Sequence, residues 1–257
     1  MSQNMAAGST DPGLTTVDST WRSLYRVGGA AALLCALMYV ITLVIYVPAN
    51  IASPPPTTVL EWFDVFAVSP VTGLFYLGLG DVIIMLLWGP MALALYAVLK
   101  STNPPWSLIA TAFVFVGMAV FIATNSSFSM LSLSQEYAAA ATETEQASLL
   151  AAGQAMLAVT RGTGHLYTGM QLVWIAGLVL SIIMLRSKAF SKATAWVGII
   201  GLGLLVVGII GGAHYTSTGE ISGVQEVIVA VQYIGGGLLS LAWYILVGLR
   251  LLKIARS

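Results

Sequence analysis

Residues 73–99 form an apolar run long enough to cross a bilayer, and within it lies one carboxylate, Asp81. A span of the hydrocarbon core needs about 20 apolar residues. Inside that core every backbone N–H and C=O must be satisfied within the protein, which leaves helices or closed barrels. Runs of this length and continuity read as helices, and they fill most of the chain. Of its 257 residues, 58% are hydrophobic and 8% charged, where a soluble domain carries about 25% charged residues. The sequence therefore predicts an all-α, polytopic membrane protein.

Six spans are expected, at residues 27–47, 71–99, 106–124, 165–185, 193–212 and 224–249. They form one membrane domain over 20–257, after a polar, disordered cytoplasmic tail at 1–19. The first run is longer than a signal-peptide core and lacks a small-residue cleavage site, so it reads as a membrane helix. Pro48 is expected to end it, and Gly89-Pro90 to kink the second span. Residues 60–68 place Leu60, Phe63 and Ala67 on one helical face and Glu61 and Asp64 on another, predicting a short amphipathic helix in the interface. Asn125, Ser126 and Ser127 read as a polar extension of the third span. Thr142 and Glu145 form a capping box before a second amphipathic helix through Leu149, Ala152, Met156 and Val159, a lid on the membrane domain. The glycines of the fifth span, with Gly208 and Gly212 as a GxxxG pair, suit close packing, as does Gly235-Gly236-Gly237 in the sixth.

Ten Lys and Arg balance ten Asp and Glu, so no bulk attraction draws the chain to nucleic acid. The distribution is far from even. Arg22, Arg26, Lys100, Arg186, Lys188, Lys192, Arg250, Lys253 and Arg256 fall on one side of the predicted spans, and Arg161 alone on the other. The positive-inside rule then puts both termini in the cytoplasm of a multi-pass inner-membrane protein. Glu61, Asp64, Glu136, Glu143, Glu145, Glu220 and Glu226 make the outer face acidic.

An intramembrane carboxylate is costly and by default marks a functional site. At 1.5 Å per residue, Asp81 is expected about 10–15 Å inside the outer end of its span, with Gln171 and Gln232 at about 9–12 Å. With Asn125, Thr168 and Tyr233 they predict an outward-facing polar pocket that binds a small molecule, a lipid group or an ion. Two alternatives stand beside it. His165, His214 and Glu226, with Asp81, offer imidazoles and carboxylates for a metal-dependent membrane enzyme, and His165 and His214 are also a possible axial pair for haem. The chain can equally serve as a structural subunit of a membrane complex. No GxSxG elbow, Walker A loop or dinucleotide fingerprint is placed where it would act, and the single Cys35 excludes an intrachain disulfide. Oligomeric state is not encoded in any motif.

Several stretches together resemble a known family. Arg26-Val27-Gly28-Gly29 opens the first span, and Leu93-Ala94-Leu95-Tyr96-Ala97-Val98-Leu99 ends the second. Leu133-Ser134-Gln135-Glu136-Tyr137-Ala138 leads into Ala151-Ala152-Gly153-Gln154, and residues 190–198 link the fourth and fifth spans. From Arg22 to Leu251 the chain resembles bacterial six-helix membrane proteins known only as a domain of unknown function. The resemblance implies six helices and carries no activity or catalytic residue.

Overall fold

Between helices in lipid there is little hydrophobic driving force, so neighbours are chosen by close backbone approach at small residues. The computed structural model describes residues 19–52, 56–162, 165–218, 227 and 231–256, with side chains throughout except at 19, 45–52, 159–162, 165–167, 209–218, 232 and 233. All regular structure among the described residues is helical. In chain order the α-helices are α1 (Arg22–Ala52), α2 (Val59–Val68), α3 (Pro70–Tyr76), α4 (Leu79–Leu99), α5 (Pro104–Thr124), α6 (Ser127–Ala139), α7 (Glu143–Gly162), α8 (His165–Met184), α9 (Lys192–Thr218) and α10 (Gly237–Arg256). A π-helical turn, Val231–Gly236, precedes α10.

Six of these pack as a closed ring in chain order: α1, α4, α5, α8, α9, α10, and back to α1. A methyl group on Gly28 would meet the Pro90 carbonyl of α4 at 3.0 Å, and one on Gly29 the Gly248 carbonyl of α10 at 3.0 Å. Across α5 and α8, a methyl on Gly169 would lie 2.7 Å from the Gly117 carbonyl. Four segments are long and apolar enough to cross a membrane: Arg22–Val44, Leu79–Leu99, Pro104–Ala139 and Ile234–Arg256. Thr168–Met184 and Lys192–Gly208 are shorter apolar helices.

The two ends of the ring differ. At one end Lys100 sits 4.5 Å over the Trp21 ring, and Arg250 Nε donates to the Ala189 carbonyl. These contacts join the start of α1 to the end of α4, and the end of α10 to the α8–α9 loop. At the other end α2, α3, α6 and α7 build a cap with its own apolar core: Val59, Trp62, Phe63, Phe66, Leu77, Met130 and Leu157. Phe63 and Tyr137 pack with their rings tilted by 45° and their centroids 5.3 Å apart.

Four local expectations change. The first helix continues past Pro48 to Ala52; a proline there removes one ladder bond near a helix end, which the remaining turn tolerates. The run at 71–99 is two helices, divided at Leu77-Gly78, because Gly78 takes a left-handed conformation (φ +95°). The 60–68 segment buries Val59, Trp62, Phe63 and Phe66, while Leu60 is exposed; its apolar face turns into the cap core and does not follow Leu60 and Ala67. The chain also turns at Asn125 and starts α6 as a new helix. The capping box at Thr142 is present, with Glu145 N–H donating to Thr142 Oγ1 at 3.2 Å and Thr142 N–H to Glu145 Oε2 at 3.2 Å.

Candidate functional site

Gly78 is the pivot. Its left-handed backbone is one that a residue without Cβ adopts at no steric cost, and it starts α4 at the level where α5 ends. Asn125, the residue that closes α5, donates from Nδ2 to the Leu77 carbonyl at 3.1 Å. Its Oδ1 accepts from Ser127 N–H at 3.1 Å and from the Ser127 hydroxyl. One amide therefore ties the broken helix to the α5–α6 turn. A methyl group on Gly78 would lie 3.3 Å from Asn125 Nδ2 and 3.6 Å from Asp81 Oδ2, so carboxylate and amide converge on the same break.

Asp81 is half-buried in the first turn of α4. About 3–4 Å of helix rise separates it from the start of that helix, where the unbroken run implied about 10–15 Å. The helix N-terminus favours a negative charge there. Among the described residues none donates a hydrogen bond to its carboxylate. Next to it, a methyl on Gly80 would meet the Thr42 hydroxyl of α1 at 2.6 Å, and that buried hydroxyl has no hydrogen-bond partner among the described residues. Tyr39 lies within Coulombic reach of Asp81, and its hydroxyl rests against the backbone of Gly237, at the junction of the π-turn and α10.

Below this level the interior closes. Trp88, two turns further along α4, is fully buried and donates from Nε1 to Tyr244 Oη at 3.0 Å. Trp88 and Trp243 stack at 5.7 Å, and Trp88 meets Tyr244 edge-on at 5.8 Å. Cys35 Sγ faces the Ile84 carbonyl at 3.8 Å. The arrangement can hold a polar or charged group against α4 from the capped end, and an aromatic block lies between it and the other end.

Of the other expected residues, only Thr168 and Gln171 have described side chains. Thr168 is exposed and Gln171 half-buried on α8, which packs on α5 and α9 and touches α4 only lightly. Gln232 and Tyr233 belong to the π-turn, with side chains outside the described set. The same holds for His165 and His214, at the start of α8 and within α9, and Glu226 lies outside the described residues. Among the described residues no three His, Cys, Asp or Glu side chains group as metal ligands. Sequence reasoning missed Gly78, Tyr39 and Thr42. The signal was present: Cys35, Tyr39 and Thr42 recur at i, i+4 and i+7, one polar stripe along α1.

A separate cleft of about 260 Å³ opens at the opposite end, lined by Lys188, Phe190, Ser191, Thr194 and Arg250.

Comparison with known proteins leaves the activity open. No curated protein and no solved structure matches the chain. A family model, described as a domain of unknown function, matches residues 27–248, which takes in the whole helical ring apart from its outermost turns. The chain belongs to that family, DUF4386.

Proposed function

We propose that the protein is a six-span bacterial inner-membrane protein with both termini in the cytoplasm, and that it binds a small molecule, a lipid group or an ion in an outward-facing site at Asp81. The observation that carries this reading is the convergence of Asp81 and Asn125 on the left-handed break at Gly78. Discontinuous helices whose termini face a polar group are a recurrent way to build a ligand site at membrane depth. Nine of the ten Lys and Arg lie toward the opposite end, and the tenth, Arg161, has a side chain outside the described set; on this reading the counter-charge for an ionised Asp81 is a bound group, a proton-bearing His or water. Tyr39 and Thr42 supply hydroxyls for orientation, and the Trp88–Trp243–Tyr244 block argues for binding over open conduction.

Native mass spectrometry of the purified protein tests this whatever the chemical nature of the ligand. A bound mass carried by the native chain is expected to disappear in Asp81→Asn and to persist in Glu61→Gln, which removes a carboxylate from the cap. Identical bound species in the native chain and Asp81→Asn, with thermal stability unchanged or raised in the variant, would refute the site and leave Asp81 as a helix N-terminal charge.

A further inference from the structure

The cleft between the α8–α9 loop and the end of α10 is lined, among the described residues, by cations without anions. Lys188 is exposed at its mouth and Arg250 is half-buried in its wall. Arg250 Nε is committed to the Ala189 carbonyl, which holds the guanidinium in place; among the described residues its terminal nitrogens have no hydrogen-bond partner. The floor is already satisfied internally. Ser191 and Thr194 hydroxyls pair at 2.9 Å, and Ser191 Oγ accepts from Thr194 N–H at 3.1 Å. Because Ser191 caps α9, the helix end is not the donor set here. What the cleft presents outward is positive charge, beside the buried Phe190.

Among the described residues no carboxylate lines the cleft. The carboxylates among the described residues, Glu61, Asp64, Asp81, Glu136, Glu143 and Glu145, all belong to the capped end, so none of them is a counter-ion for Lys188 and Arg250. The cleft also lies at a recognisable depth. Trp106, in the first turn of α5, is 54% exposed, and Trp196, in the first turns of α9, is 53% exposed. Exposed tryptophans beside Lys and Arg mark the headgroup level of a bilayer. From Arg250 back along α10, Leu249, Leu246 and Ile245 are exposed and apolar, a surface for acyl chains that begins where the cations end.

We propose that this cleft binds a phosphate group, and that the phosphate is that of an anionic phospholipid in the adjoining leaflet. Lys188 and Arg250 grip the phosphate oxygens, and the apolar face of α10 receives the chains. Basic pockets between spans on the positively charged side have this preference in general. The proposal is independent of the Asp81 site.

The test titrates the purified full chain with phosphatidylglycerol or phosphatidylcholine and counts retained lipid by native mass spectrometry. Phosphatidylglycerol is expected to be retained in preference to phosphatidylcholine. Lys188→Gln should lower its apparent affinity about fivefold, as should Arg250→Gln, since each cation near an anionic headgroup contributes on that scale. Lys253→Gln, an exposed cation of α10 outside the cleft, should change it little. Excess inorganic phosphate separates the two sources. If it displaces no lipid, the chains contribute and the lipid reading stands. If it binds in a Lys188-dependent manner and abolishes the preference, free phosphate is the occupant and the lipid reading is overturned. Equal retention of both lipids, or equal affinity in the native chain and both cleft variants, overturns the site altogether.

Discussion

One backbone dihedral at Gly78 decides what Asp81 is. In an unbroken helix from residue 71 the carboxylate would lie deep in the bilayer; with φ +95° at Gly78 it stands in the first turn of α4. A Cβ at this position would crowd Asn125 Nδ2 slightly, at 3.3 Å, and meet Asp81 Oδ2 at 3.6 Å. The larger cost of substitution is conformational, about 1–2 kcal/mol for an L-residue held left-handed. Gly78→Ala is expected to lower stability by that amount in thermal denaturation, and Gly78→Asn by less, because Asn tolerates this region better. Nothing in the hydropathy of Leu77-Gly78-Leu79 announces the break, which is why the sequence reads as one span. Asp81 was legible because a charge in an apolar run stands out. Asn125 was legible as polar, but its bond to Leu77 was not, since the two lie in different helices.

At the scale of the element, short-range signals proved the most readable. Thr142 with Glu145 was identifiable four residues at a time, and the equivalent box at Thr58 follows the same rule: Thr57 and Thr58 N–H donate to Glu61 Oε2 at 2.6 and 3.2 Å. Those backbone bonds, Thr57 first, hold the Glu61 carboxyl below its ordinary value of 4.5. A lowered acid stabilises the fold above its unfolded value and loses that contribution as pH falls through the lower folded value. Protection of α2 amides from hydrogen exchange, corrected for intrinsic rates, should therefore decline as the pH drops below about 4.5. It should be insensitive to pH in Glu61→Gln. The face that α2 buries was harder to read, because Leu60 and Val59 are both apolar and only the cap partners select between them. Helix pairing shows the same limit. Gly117 and Gly169 look like many other glycines in the chain, yet their helices meet there with a carbonyl 2.7 Å from a would-be methyl. Gly169→Val is expected to cost about 1–3 kcal/mol through forced separation of α5 and α8, measurable as a lowered Tm in detergent.

For the whole molecule, charge and apolar periodicity carried the class, the helical architecture and the polarity of its two ends. They did not carry the cap as a body with its own core, because each of its four helices is too short or too mixed to declare a partner alone. The proposed orientation is open to a direct check. Cys35 is the single cysteine and is fully buried, so an introduced thiol reports against a silent background. A membrane-impermeant maleimide applied to intact cells is expected to label Glu145→Cys and to spare Lys188→Cys until the membrane is opened. The reverse pattern would invert the topology.

The closure of the ring also bears on how the protein is made. Within the ring α1 is made before the other five helices, and its glycine face at Gly29 finds its partner only at Gly248, in the ring helix made after all the others. Until α10 is made, α1 waits with that face unpaired, and the arrival of α10 closes the ring. A chain truncated before α10 leaves the Gly29 face open to the same helix of another copy. Its natural failure is mispairing between unfinished chains.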